Sequence, residues 1–139
     1  MTTSIMRVLL AEDSKVNQKM VIALLEKGGH AVVVAENGEI AVDLAATQNF
    51  DVVLMDVQMP VMNGFDATKA IREHEKTSGI HLPIIALTAH AMAGDRECCL
   101  QAGMDEYLSK PLVPEELYAR LNEIAEAKTK VSRSEEKCD

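Results

Sequence analysis

The sequence predicts an α/β fold in which a five-stranded parallel, doubly wound sheet carries helices on both faces. Five short, nearly all-apolar segments alternate along the chain with five longer segments whose apolar residues recur at helical spacing. Continuous apolar runs are typical of strands that are buried on both faces of a parallel sheet. A length of 139 residues suits one domain, and right-handed crossovers between the strands then give an open sheet.

Each predicted element begins or ends at a recognisable residue. Gly28 and Gly29 stop the first helix, Asn37 and Gly38 turn the chain into the second, and Gly103 closes the fourth. The fifth helix opens at a proline that two glutamates follow. The predicted strands cover 6–10, 31–34, 51–56, 83–88 and 106–109; the predicted helices cover 14–27, a segment from 38, 64–76, 93–102 and a segment from 114.

The predicted domain organisation is an N-terminal extension of residues 1–5, a domain of residues 6–127 and a charged C-terminal tail of residues 128–139. The last dozen residues are charged and aperiodic, which indicates a frayed helix end or a tail. The apolar runs are shorter than the roughly 18 residues that a membrane helix needs, and the N-terminus lacks the apolar segment of a signal peptide.

Charge and cysteine usage restrict the function classes. A net charge of −8, from 22 acidic and 14 basic residues, argues against direct contact with nucleic acid or with anionic membrane surfaces. The three cysteines form no CxxC pair, which predicts reduced thiols and a cytoplasmic location. Cys98 and Cys99 are neighbours on a predicted helix, so their side chains should point apart. We expect His30, His74 and His81 to face solvent without a metal role.

Polar side chains collect where the predicted strands end. Glu12 and Asp13 follow the first strand, Asp56 ends the third, Thr88 ends the fourth and Lys110 follows the fifth. Ligands of open α/β sheets bind outside the carboxyl ends of the strands, so these five groups should share one site. Each residue alone has an ordinary interpretation; Asp13, for instance, would serve as a helix cap. Their joint occurrence at one edge favours a functional site.

The charge of this cluster predicts a divalent cation. Three carboxylates and one ammonium leave a net charge of −2, and like charges that lie close together resist joint ionisation. Carboxylate oxygens suit Mg²⁺, which takes one or two carboxylates together with water and phosphate oxygens. Zn²⁺ is disfavoured because no histidine or cysteine is among the predicted ligands.

Four motifs carry a resemblance to a known family. They are LLAEDSKVNQ with the acidic pair, DVVLMDVQMPVMNG around Asp56, PIIALTAHAM with Thr88, and GMDEYLSKPL with Tyr107 and Lys110. Over about residues 6–127 the chain resembles the response-regulator receiver domains of two-component signalling, and most of all those of hybrid sensor histidine kinases. The resemblance implies a flavodoxin-like sheet with strand order 2-1-3-4-5.

The resemblance also implies roles for individual residues. Asp56 matches the phosphoacceptor; the Mg²⁺ (or Mn²⁺) ligands are Asp13 and Asp56 directly, Glu12 through water and the backbone carbonyl of Gln58. Thr88 and Lys110 match the residues that hold the phosphoryl oxygens. Tyr107 matches the aromatic residue that changes rotamer together with Thr88. Gln58 and His90 occupy the positions that tune hydrolysis of the acyl phosphate.

The implied partner is a histidine kinase or a histidine-phosphotransfer protein, whose phosphohistidine supplies the phosphoryl group. The switching surface would be the fourth helix, fifth strand and fifth helix, with the helix of residues 93–102 as the two-state element. The chain would catalyse at most its own phosphorylation and slow autodephosphorylation. It would be either a stand-alone receiver or a piece of a larger histidine kinase, and the wording of the motifs favours the piece. The resemblance leaves open whether phosphorylation drives dimer formation.

Two other functions stay open at this point. A degenerate receiver would act only as a protein-interaction module. A phosphatase of the haloacid-dehalogenase type also places a nucleophilic aspartate after an apolar strand, but it needs a second aspartate two positions later, where this chain has Gln58. A nucleotide-binding Rossmann protein is disfavoured because neither GxGxxG nor GxxxxGK[ST] follows any strand.

Overall fold

The computed structural model describes residues 6–88, 93–109 and 112–138. Strands and helices alternate along the chain. The strands are β1 Arg7–Ala11, β2 Ala31–Ala35, β3 Val52–Asp56, β4 Ile84–Thr88 and β5 Glu106–Ser109; the helices are α1 Lys15–Lys27, α2 Gly38–Thr47, α3 Gly64–Ser78, α4 Ala93–Ala102 and α5 Pro114–Cys138.

The five strands form one parallel sheet in the order β2-β1-β3-β4-β5, which confirms the predicted fold class and strand order. Every residue of the central strands β3 and β4 is buried. Successive side chains of a strand point to opposite faces, so each face has its own aliphatic core. Leu10, Leu54 and Leu87 belong to one core, and Leu9, Val53 and Ala86 belong to the other.

The element boundaries differ from the predicted ones at helix ends. Ser14, and not Asp13, caps α1: the Ser14 hydroxyl accepts a hydrogen bond from the Asn17 N–H at 3.3 Å. Helix α3 continues to Ser78 and ends at Gly79, whose left-handed φ of 74° suits glycine. Helix α5 runs to Cys138 and so includes most of the predicted tail. The predicted boundary between domain and tail stays a prediction.

Within residues 6–88, 93–109 and 112–138, no helix combines the length and the hydropathy that spanning a bilayer would require. Cys98 is exposed and Cys99 is buried, which confirms that these neighbours on α4 point apart. Cys99 packs in the core cluster that contains Leu9 and Val53.

The prediction that His30 faces solvent is wrong. Its side chain is 6 % exposed, and its Nδ1 atom accepts a hydrogen bond from the Met6 N–H at 3.0 Å. Burial lowers the pKa of His30 below its ordinary value, and the nearby carboxylate of Asp51 opposes this shift. The Met6 hydrogen bond requires an unprotonated Nδ1, so the folded chain holds His30 neutral.

The lowered pKa of His30 makes stability depend on pH. Above pH ~6.5 the imidazole is neutral in both the folded and the unfolded chain. As pH falls below this value the unfolded chain binds the proton first, so the free energy of unfolding decreases towards the folded-state pKa. We expect His30→Asn, which retains an acceptor but cannot titrate, to flatten the stability profile between about pH 7 and pH 5 in urea denaturation.

The control is His74→Asn, because His74 lies exposed on α3. This variant should keep the wild-type pH profile. An equally steep profile in the His30→Asn variant would assign the pH dependence to other groups.

Candidate functional site

The acidic residues meet at the carboxyl edge of the sheet as predicted. Strand β3 lies between β1 and β4, and all three run in parallel, so Glu12 and Asp13 after β1 come beside Asp56 at the end of β3. One carboxylate oxygen from each of these three residues lies within 4.8 Å of the other two. Glu12 and Asp56 are 1 % and 6 % exposed, whereas Asp13 is exposed. The cluster is therefore a half-open acidic pocket.

Backbone N–H groups hold two of these acids in place. The Ser14 N–H donates to Oε2 of Glu12 at 3.2 Å, and the Gln58 N–H donates to Oδ1 of Asp56 at 3.3 Å. The Glu12 N–H in turn donates to the Ala35 carbonyl of β2 at 3.0 Å. Hard oxygen ligands at this spacing suit a hard divalent cation, so the donor set passes the chemical test for Mg²⁺.

The turn after β3 requires a glycine. The Gly64 N–H donates to the Val57 carbonyl at 2.9 Å, which brings the start of α3 against the end of β3. A Cβ atom at Gly64 would lie 2.3 Å from the Asp56 carbonyl oxygen. The close approach of α3 to the Asp56 backbone is thus possible only without a side chain, and it fixes the position from which the Asp56 carboxylate projects.

The same turn contains Val61, a β-branched residue with a left-handed φ of 69°. The left-handed conformation costs roughly 1–2 kcal/mol for residues with a Cβ atom. The Val61 side chain is 75 % exposed, so packing offsets little of this cost. Backbone strain is therefore stored within five residues of Asp56.

Replacing Val61 by glycine should stabilise the protein. Glycine adopts the left-handed conformation without penalty, although its flexible unfolded state takes back part of the gain. We expect the free energy of unfolding to rise by about 1 kcal/mol in urea denaturation. Val113→Gly is the control, because Val113 is also exposed but has no left-handed φ. A Val61→Gly variant that is less stable than wild type would contradict the argument.

Of the remaining predicted site residues, the structure describes Thr88, Tyr107 and Gln58 but not Lys110 and His90. Thr88 is 5 % exposed and follows Leu87, the register partner of Asp56, so it lies at the same edge as the acids. Tyr107 is half-buried on β5 opposite Ala86 and packs against the core cluster of Leu9 and Val53. Lys110 and His90 lie outside the described residues. Gln58 is exposed two residues after Asp56, and its role as a carbonyl ligand stays a prediction.

Sequence reasoning missed Gln18. Its side chain is 7 % exposed on α1, and its Nε2 donates to the backbone carbonyl of Glu12 at 2.6 Å. A signal was present in the sequence: Gln18 precedes Val21 by three positions and Leu25 by seven, so it belongs to the stripe that α1 buries. A polar residue within an apolar stripe needs a hydrogen-bond partner.

Comparison with known proteins places this chain in a family. The family model described as the response regulator receiver domain matches residues 8–122. The chain therefore belongs to the response regulator receiver domain family.

Curated relatives include longer kinases. The chain is 46 % identical over 121 residues to hybrid signal transduction histidine kinase I of Dictyostelium discoideum, a match that covers 84 % of this chain and 7 % of that protein. It is 49 % identical over 112 residues to the sensor protein GacS of Pseudomonas syringae pv. syringae, covering 80 % of this chain and 12 % of the relative. The chain thus spans only a small part of the curated relatives that it matches.

Solved structures share the fold. The receiver domain of a sensor histidine kinase from Pseudomonas aeruginosa PAO1, which has a magnesium ion coordinated in its active-site cleft, is 44 % identical with a TM-score of 0.79, covering 88 % of this chain and 99 % of that one. The Saccharomyces cerevisiae complex of the histidine phosphotransfer protein Ypd1 with the receiver domain of Ssk1 contains a chain that is 31 % identical to this one, with a TM-score of 0.80. The match covers 84 % of this chain and 86 % of that one.

Proposed function

We propose that this chain is a phosphorelay receiver whose Asp56 accepts a phosphoryl group from a phosphohistidine on a partner protein. The observation that carries the proposal is the acidic pocket, in which oxygens of Glu12, Asp13 and Asp56 lie within 4.8 Å of one another at the carboxyl edge of the sheet. Three carboxylates at this distance repel one another, and a bound cation would offset the repulsion. The same cation would neutralise the oxygens of a phosphoryl group that is transferred to a neighbouring carboxylate.

Asp13 and Asp56 would hold Mg²⁺ directly, Glu12 through water, and Gln58 through its backbone carbonyl. The magnesium ion in the active-site cleft of the receiver domain from Pseudomonas aeruginosa supports a magnesium site, and the assignment of the individual ligands is our proposal. A bound Mg²⁺ supplies charge neutralisation to the oxygens of the transferring phosphoryl group.

In the transfer itself, a carboxylate oxygen of Asp56 forms a bond to phosphorus while the P–N bond of the phosphohistidine breaks. The electron pair of that bond remains on the imidazole nitrogen. The phosphoryl group adds a charge of about −1.5 to −2 and removes the carboxylate's −1. We infer that this surplus draws the Thr88 hydroxyl and the Lys110 ammonium towards the phosphoryl oxygens, and that Tyr107 follows Thr88.

The switching surface of this proposal is α4, β5 and α5. A phosphoryl group biases a two-state element only through contacts that differ between the two states, and Thr88 and Tyr107 would supply them. Helix α4 is the candidate element because it contributes few large apolar residues. Gln58 and His90 would tune the lifetime of the acyl phosphate.

A histidine-phosphotransfer protein or a histidine kinase is the partner we propose. The complex of Ypd1 with the Ssk1 receiver domain and the kinase relatives support this choice. Because the matched relatives are long kinases, we propose that the chain acts as the receiver part of a hybrid histidine kinase. The free, exposed thiol of Cys98 agrees with the cytoplasmic location in which such a relay would operate.

Turnover of phosphate esters is not part of this proposal. The general-acid aspartate of a haloacid-dehalogenase-type phosphatase would occupy position 58, which is glutamine here. A degenerate receiver is disfavoured because Glu12, Asp13 and Asp56 are all present and close together.

Phosphoryl uptake tests the proposal. Incubation with acetyl phosphate and Mg²⁺ should add the mass of one phosphoryl group to the intact chain, and chelation of Mg²⁺ should prevent the gain. Fragmentation should locate the group on Asp56. No mass gain with Mg²⁺, or a gain on another residue, would refute the assignment.

A further inference from the structure

Gln18 is a buried amide that donates a hydrogen bond to the backbone of Glu12, one of the three acids of the pocket. It lies on α1, 7 % exposed, in the stripe that also contains the buried Val21 and Leu25. Its Nε2 donates a hydrogen bond of 2.6 Å to the backbone carbonyl of Glu12. This carbonyl belongs to the peptide group between Glu12 and Asp13, so the hydrogen bond fixes the orientation of the peptide plane that joins two acids of the pocket.

The other hydrogen bonds of this segment hold Glu12, whereas the position of the Asp13 side chain is set by its own backbone. The Glu12 N–H is bonded to the Ala35 carbonyl, and the Glu12 carboxylate accepts from the Ser14 N–H. The Asp13 side chain is exposed, and in the described part of the chain no residue donates a hydrogen bond to its carboxylate. The direction in which Asp13 projects therefore depends on the peptide plane that Gln18 holds.

We propose that Gln18 is a positioning residue for the cation site: it orients the Glu12–Asp13 peptide so that the Asp13 carboxylate points into the acidic pocket. This inference rests on the proposed function, because it assumes that Mg²⁺ binds there. Outer contacts that orient ligands typically change metal affinity by 10–100-fold when they are removed. Without the Gln18 bond the exposed Asp13 samples several directions, and binding must select one of them.

The test is the Mg²⁺ affinity of a Gln18→Met variant, measured by calorimetric titration of the unphosphorylated chain. Methionine has a similar length and no hydrogen-bond donor. We expect the Mg²⁺ dissociation constant to rise about tenfold. The Mg²⁺ concentration that gives half-maximal phosphorylation by acetyl phosphate should rise by the same factor.

A buried polar residue on another helix, outside the acidic cluster, provides the matched control. Thr68 on α3 is fully buried, and within the described residues its Oγ1 has no hydrogen-bond partner. Thr68→Val removes this hydroxyl and should leave the Mg²⁺ dissociation constant within twofold of wild type. Equal weakening in both variants would indicate general loosening and would overturn the proposal, as would a Gln18→Met variant that binds Mg²⁺ like wild type.

A second variant keeps the test decisive if Gln18→Met does not fold. Gln18→Leu keeps the buried face of α1 apolar and has no hydrogen-bond donor for the Glu12 carbonyl, so it should weaken Mg²⁺ binding about as much as Gln18→Met. Wild-type affinity in this variant would overturn the positioning role. A wild-type chain that binds no Mg²⁺ would instead refute the proposed function, and the role of Gln18 with it.

Discussion

Replacing Asp56 by asparagine is expected to reduce phosphoryl uptake from acetyl phosphate to background. The amide oxygen that replaces the carboxylate carries no negative charge and cannot form a stable acyl phosphate. The same substitution removes one of three like charges within 4.8 Å, so the metal-free variant should be at least as stable as wild type. Intact-mass measurement follows uptake, and urea denaturation reports stability.

Asp66→Asn is the matched control for this substitution. Asp66 is an exposed carboxylate in the first turn of α3, ten positions from Asp56 and outside the acidic cluster. The Asp66→Asn variant should take up the phosphoryl group like the wild-type chain. Uptake by Asp56→Asn at the wild-type rate would show that the acceptor is another residue.

Replacing Arg72 by alanine is expected to lower the free energy of unfolding by about 3 kcal/mol. Arg72 lies on α3 with 17 % of its side chain exposed. Its guanidinium donates to the Gly103 and Leu82 carbonyls and to the carboxylates of Glu75 and Asp105, at 2.7–2.8 Å. Without the guanidinium, two carbonyls and two carboxylates lose a hydrogen-bond donor in a partly buried place. Breaking a buried hydrogen-bond and salt-bridge network is among the single substitutions that lower the free energy of unfolding most.

The absence of a side chain at Gly103 leaves room for Arg72. The φ of Gly103 is 107°, and a Cβ atom there would approach Cγ of Arg72 to 2.9 Å. The Arg72 network therefore ties α3 to the segment that joins α4 to β5. Because the proposed switch involves α4, we expect the C-terminal end of α4 to stay anchored.

Lys76→Ala is the control for Arg72→Ala. Lys76 lies on the same helix and pairs with Glu73 at 3.2 Å, but both side chains are more than 70 % exposed. Exposed pairs contribute little, so this variant should match wild type within about 0.5 kcal/mol. Arg72→Lys should fall between, since one ammonium group cannot reach all four acceptors. Equal stability of the Arg72→Ala and Lys76→Ala variants would contradict the importance of the network. Urea denaturation of all three measures the differences.

The strands and the acidic edge were predictable from the sequence for a physical reason. Strands buried on both faces must be apolar throughout, so they appear as uninterrupted runs that end where a polar residue begins. In a parallel sheet those ends share one edge, and a rule about strand direction was enough to bring Glu12, Asp13 and Asp56 together. The structure confirms this grouping.

Other features were decided only by tertiary packing. His30 follows a glycine pair, a pattern typical of a turn, yet its side chain is buried and accepts a hydrogen bond from the Met6 N–H. In the sequence, Arg72 is one of many charged residues on a predicted helix, yet its guanidinium donates to the carbonyl of Gly103, 31 positions away. No local pattern encodes such contacts, since they depend on how finished elements approach one another.

Gln18 stands between these two cases. The spacing of apolar residues on α1 determines that its side chain is buried, because one helical stripe must face the sheet. Which carbonyl it reaches depends on how α1 packs against the end of β1. Sequence periodicity thus determines which residues enter the interior of this protein, and the packing of its elements decides which polar groups meet there.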